Sequence, residues 1–130
     1  MHRFFYRLSG GRIGGRVARL PVLELTTLGR RSGQPRSVLL NYLDDPDGFL
    51  VVASNAGDDR DPLWWLNLQS QPAATVAVAS NQTAVRAEEV IGSEYQELWD
   101  RFGQLNPGYR DYALYTDRHI TIVRLRTQNE

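Results

Sequence analysis

A chain of 130 residues with 42% apolar and 23% charged side chains is long enough for one core and too apolar for a disordered or fibrous protein. Its formal charge is zero and it has no cysteine, which excludes disulfides, thiolate metal sites and a cysteine nucleophile; with only His2 and His119, no metal site is expected. No apolar run approaches the ~20 residues that cross a bilayer, and the arginine-rich start lacks the long apolar centre of a signal peptide, so a cytoplasmic protein is expected.

The first segment, 1–20, is basic and irregular. Residues 4–8 suit a short helix, but Gly10, Gly11, Gly14 and Gly15 break it up, so the segment reads as helical or mobile ahead of a single domain over 21–130. Up to Arg36 eight arginines face one acid, Glu24; the rest of the chain carries seven arginines against fourteen acids, and there is no lysine. A GC-rich genome accounts for the missing lysine. The basic first third suits an anionic ligand, a membrane surface or nucleic acid, or is a solvated face. Phe4, Phe5, Tyr6 and Leu8 interleave with Arg3 and Arg7, a pattern compatible with peripheral membrane contact.

Residues 23–27 read as a first strand and 29–35 as a loop between breakers. Two apolar runs, 37–43 and 49–54, flank Asp44-Asp45-Pro46-Asp47-Gly48, which predicts a hairpin. Asp61 as N-cap and Pro62 at the first helical position predict a helix to about Ser70. Strands over 74–79 and 83–90 surround a Ser80-Asn81-Gln82 turn. Ser93 and Gln96 match a capping box, and Tyr95, Leu98, Trp99 and Phe102 recur at the helical period. After Asn106-Pro107-Gly108, residues 109–115 suit a short helix with aromatics on one face, and 120–125 a closing strand. Hairpins dominate, so the expected fold is α+β: a small, mostly antiparallel barrel with helices against it.

Three segments carry candidate chemistry. Thr26 to Arg36 brings Arg30, Arg31, Ser32 and Arg36 into a turn bounded by Gly29 and Gly33. Guanidinium forks and backbone N–H groups there suit a phosphate or carboxylate, though the same residues describe a solvated hairpin. Ala53-Ser54-Asn55-Ala56-Gly57 leaves a strand toward a helix start, and its small residues let a flat ring approach the backbone. Trp64 and Trp65 follow, of which one is expected in the core and one on a pocket. Tyr109, Tyr112 and Tyr115 form an aromatic stripe that packs a core or borders a pocket as hydrogen-bond donors. His119 is read as structural. There is no nucleophile elbow, P-loop, dinucleotide fingerprint or nucleic-acid module, and a chain poor in catalytic groups borrows chemistry from a cofactor.

Leu25 to Arg36, Val51 to Gly57, Pro62 to Leu68, Pro107 to Tyr112 and Thr116-Asp117-Arg118 together resemble the deazaflavin-dependent nitroreductase family, in family order. The resemblance implies a split β-barrel and hydride transfer from reduced coenzyme F420, a flat deazaflavin with a phosphodiester and an oligoglutamate tail. The acceptor would be a quinone, nitro-aromatic or similar electron-poor small molecule. It implies that Arg30, Arg31, Ser32, Gln34, Pro35 and Arg36 hold the phosphate and tail, and that Ala53, Ser54 and Asn55 lie against the ring. Leu63, Trp64 and Trp65 would pack over the coenzyme. Ser54, Tyr112 and Tyr109 are the expected catalytic donors. Asn41 and Asn106 stand where some members have tyrosine, Asn55 where lysine is frequent and Trp65 where tyrosine is common. The rival expectations are a flavin mononucleotide enzyme of similar barrel, and a non-enzymatic barrel for lipid, haem or a membrane surface. The assembly is expected to be a monomer or homodimer.

Overall fold

Alternation makes the first strand: in Val22–Leu28 (β1) the side chains of Leu23, Leu25 and Thr27 are buried while their neighbours are not. The computed structural model describes residues 21–128; the segment 1–20, with its expected helix, lies outside the described residues. Further strands are Pro35–Asn41 (β2), Leu43–Asp45 (β3), Gly48–Val52 (β4), Ala73–Val78 (β5), Asn81–Glu89 (β6) and Ile122–Thr127 (β7). The helices are Leu63–Ser70 (α1), Gly92–Leu105 (α2) and Gly108–Ala113 (α3). None of these helices is long and apolar enough to cross a membrane.

The strands make one sheet in the order β2-β1-β5-β6-β7-β4-β3, every neighbouring pair antiparallel. Its two edge strands, β2 and β3, are consecutive in the chain and separated by Tyr42 alone. A single residue spans only about 3.3 Å per step, so the sheet must curl until its edges approach. The result is the expected split barrel. The expected hairpin over 37–54 is therefore only partly formed. The backbone N–H of Tyr42 donates to Pro21 O at 3.0 Å, β2 pairs along its length with β1, and only β3 pairs with β4.

Other local expectations shift by small amounts. Pro62 is the N-cap of α1 and its carbonyl accepts from Trp65 and Leu66, because the Asp61 carboxylate is engaged elsewhere. The capping box does not form: no side chain caps α2, and the Gln96 amide donates to Asp100. The β5–β6 turn is Ala79-Ser80, with Ala79 at positive φ, rather than 80–82.

Because side chains alternate along β4 and β7, the sheet serves two cores. Val51, Val123 and Leu125 point into the barrel with Leu23, Leu25, Val76 and Val85, and Trp64, Trp65 and Leu68 of α1 close that core. Leu50, Val52 and Ile122 face the other way, where α2 covers them with Phe102, fully buried. Truncating such a phenylalanine to alanine costs about 3–5 kcal/mol. On this outer face Arg124 (8% exposed) pairs with Asp45, Glu88 and Glu94. The expected amphipathic face of α2 is the one that packs.

Candidate functional site

The β1–β2 loop begins as a tight turn. The Gly33 N–H donates to Gly29 O at 2.8 Å and the Gly29 N–H to Gln34 O at 2.9 Å, with Gly33 at φ +72°, a conformation that glycine adopts without strain. The Ser32 hydroxyl accepts from the Gln34 N–H at 3.0 Å and lies 3.4 Å from the Arg36 guanidinium. The loop is tied to α1 by Asn67. The Asn67 Oδ1 accepts the Arg30 backbone N–H at 3.0 Å, and Nδ2 donates to Thr27 Oγ1 at 3.1 Å. Thr27 and Asn67 are 1% and 5% exposed. Among the described residues Arg60, Arg118, Arg124 and Arg126 have acid partners; Arg30, Arg31, Arg36, Arg86, Arg101 and Arg110 have none, and of these six the first three line the cleft described below.

The second wall follows β4. Asn55 and Ala56 have φ of 46° and 54°, and Gly57 has φ +80°, so the chain makes a left-handed turn closed by Gly57 N–H to Ser54 O at 2.8 Å. Non-glycine residues hold such conformations only when their surroundings over-determine them. Arg118 supplies that constraint. Its guanidinium donates to the carbonyls of Ala53, Ser54 and Asp58 and to the Asp61 carboxylate at 2.9–3.1 Å. Helix α3 packs on the same turn, and a Cβ at Gly57 would lie 2.8 Å from Tyr112 O.

Between these walls runs a cleft of about 790 Å³. Arg30, Arg31, Ser32 and Arg36 line one end, and Leu39, Leu40, Val52, Asn106 and Tyr109 line apolar wall, with Ser54, Asn55, Leu63 and Trp64 alongside. No acid lines it. Among the described residues no group of three or more histidines, aspartates or glutamates is placed to hold a metal ion. Strand β2 follows the cleft from Arg36 to Asn41, about 17 Å at ~3.3 Å per residue.

Most of the expected site residues therefore meet at one cleft, and five do not line it. Gln34 and Pro35 serve the turn and the first β1–β2 pair, Ala53 is fully buried, and Trp65 belongs to the barrel core. Trp64 lines the cleft while Trp65 does not, as adjacent helical side chains diverge. Tyr112 stands behind Tyr109, edge to face at 6.1 Å, so Tyr109 is the tyrosine that reaches the cleft. Burial raises the Tyr109 phenol far above its ordinary value, with Tyr112 adding to the shift. Burial, with Asp111 and Tyr115, pushes Tyr112 up to about 12. Both hydroxyls stay protonated at neutral pH.

Asn67 and Arg118 were not among the expected site residues. Asn67 has a sequence signature, since Trp64, Asn67 and Leu68 recur at the helical period on the buried face of α1. Arg118 stands in the Thr116-Asp117-Arg118 segment of the family resemblance, but nothing local marks its acceptors, which lie 57 to 65 residues away.

Known proteins resemble this chain in sequence and in fold. The family model described as F420H(2)-dependent quinone reductase matches residues 1–127. An F420H(2)-dependent quinone reductase of Mycobacterium tuberculosis is 36% identical over 129 residues, covering 96% of this chain and 87% of that protein. A solved F420-H2 dependent reductase, FDR-A, superposes with a TM-score of 0.71 at 30% identity over 79% of this chain and 91% of its own. A structure described as a domain-swapped dimer superposes equally well, at 28% identity over 93% of this chain and 92% of its own. Matched over nearly its whole length, the chain belongs to the F420H(2)-dependent quinone reductase family.

Proposed function

We propose that this protein is an oxidoreductase that binds coenzyme F420 in the cleft and reduces a quinone or a related electron-poor acceptor. The observation that carries the reading is the set of three arginines without carboxylate partners at one end of an acid-free cleft. Such a donor set suits the phosphodiester and carboxylates of the coenzyme, because guanidinium forks bind both and their own charge is otherwise uncompensated. Arg30, Arg31, Ser32 and Arg36 would hold the anionic end. The small residues Ser54 and Asn55, with Leu63 and Trp64, would flank the flat ring. When bound and reduced, the coenzyme supplies a hydride. The chain's own part is to orient, to keep water from the apolar wall and to offer hydrogen bonds from Ser54 and Tyr109 where negative charge develops on the acceptor.

Arg31→Ala and Arg36→Ala are expected to weaken F420 binding about tenfold each, with smaller salt dependence. Neither should lower thermal stability, since neither arginine pairs with an acid. Tryptophan quenching reports binding, and parallel titration with flavin mononucleotide separates the two cofactors. Unchanged F420 affinity in both variants would remove this loop from the site, and preference for the flavin would replace the coenzyme. The domain-swapped dimer among the structural relatives supports a homodimer, which sedimentation tests. Vesicle binding that is lost on removal of residues 1–20 would support peripheral membrane contact.

A further inference from the structure

We infer that Asn106 recognises the acceptor: its side-chain amide donates a hydrogen bond to a carbonyl oxygen of the substrate at the apolar wall of the cleft. The inference rests on the reading of that cleft as the coenzyme and acceptor site.

Asn106 is the C-terminal cap of α2 and precedes Pro107, where α3 begins. It is 5% exposed. Its side-chain Oδ1 accepts the Gly108 N–H at 3.0 Å, and its main-chain carbonyl accepts the Tyr109 N–H at 3.1 Å. The first bond decides which way the amide faces. Only the oxygen can accept an N–H, so the Nδ2 group, a pure donor, is turned away from the backbone. Among the described residues no group accepts from Nδ2. It is not sealed off either, because among the described residues no side-chain polar atom cut off from solvent lacks a partner. Since Asn106 lines the cleft, the open donor faces the ligand space.

Two further polar groups show the same condition. Ser54 Oγ and Tyr109 Oη have no hydrogen-bond partner among the described residues, and both residues, 8% and 7% exposed, line the same cleft. Around them stand Leu39, Leu40 and Val52, and among the described residues no acid. Donors set in an apolar wall select a neutral, oxygen-bearing acceptor and disfavour an amine or a cation. Asn106 differs from the two hydroxyls in one respect. An amide N–H does not give up its proton, so it stabilises charge developing on the oxygen without becoming the acid. The acceptor gains a hydride from the reduced coenzyme, which is thereby oxidised by two electrons, and the second proton of the hydroquinone comes from water.

Asn106→Asp tests this with the fold kept, because an Asp oxygen can still accept the Gly108 N–H while the donor is lost. With menadione as acceptor, kcat/KM is expected to fall at least tenfold at pH 8. The F420 dissociation constant should stay within twofold of wild type, and the thermal midpoint within two degrees at pH 5, where the buried aspartic acid is neutral. A second readout is the pH profile. The aspartate regains a donor when protonated, so the variant should recover activity as pH falls from 8 to 5, where wild type does not. Menadione binding, followed by quenching of tryptophan, should weaken by a similar factor. Wild-type kcat/KM in the variant, or an equal loss of F420 affinity, overturns the inference. A wild-type protein that fails to bind F420 instead overturns the functional reading itself.

Discussion

Replacing Asn67 with leucine tests whether one buried amide holds the arginine loop. The leucine branches at the same carbon but can neither donate to Thr27 Oγ1 nor accept the Arg30 N–H, bonds of 3.1 and 3.0 Å. A neutral hydrogen bond contributes about 0.5–1.5 kcal/mol net, and a buried group left without a partner costs about 1–3 kcal/mol. Thr27 is 1% exposed, so water does not replace the lost donor; Arg30 is exposed, so its N–H recovers some solvation. The sum is about 2–4 kcal/mol. With a urea slope of about 2 kcal/mol/M, the unfolding midpoint should fall by roughly 1–2 M. Thr27→Val in the same chain removes the orphaned hydroxyl at nearly constant shape. The double variant should therefore recover about 1–2 kcal/mol relative to the sum of the single changes. F420 affinity should drop about tenfold in both, because the loop loses its anchor whichever way the hydroxyl is treated. A single variant that unfolds at the wild-type urea concentration and binds F420 equally well would refute the reasoning.

Arg118→Met should loosen the left-handed turn after Ser54, since one guanidinium serves three carbonyls and a carboxylate there. A loss of about 3 kcal/mol in urea and faster amide exchange over 53–61 are expected, with little rescue by lysine, whose three donors cannot span four acceptors. Stability should also depend on pH at both extremes. The raised Tyr109 and Tyr112 phenols keep their protons while unfolded tyrosines ionise near pH 10, so the unfolded state holds fewer protons and stability falls between about pH 10 and 12. Arg126 and Arg124 hold the Glu88 carboxyl below its ordinary range, so its contribution is present above about pH 4.3 and is lost on acidification. Urea midpoints across pH 3–12 check both, and a curve flat to pH 12 would contradict the tyrosine burial.

The strands and helices were largely legible because their information is local. Apolar alternation in β1, the helical period of Tyr95, Leu98, Trp99 and Phe102, and the breakers around Asn106-Pro107-Gly108 act over a few residues. The same holds for the arginine loop, whose glycine turn and guanidinium groups lie within eleven residues. Two local patterns misled. Ser93 and Gln96 match a capping box, but α2 starts without one, and the run 37–43 reads as one strand where the chain changes partners at Tyr42.

By itself, then, the sequence determined the element types, the family and the arginine-rich, acid-free composition of the first loop, all of which rest on neighbours along the chain. Tertiary structure alone decided that β2 pairs with β1 while β3 pairs with β4, and that Tyr109 rather than Tyr112 reaches the cleft. It also decided that Arg118 secures a turn some sixty residues away. Each depends on which apolar faces can be buried together and which buried polar groups then meet, and a buried donor carries no mark in the sequence of the distant carbonyl that will satisfy it.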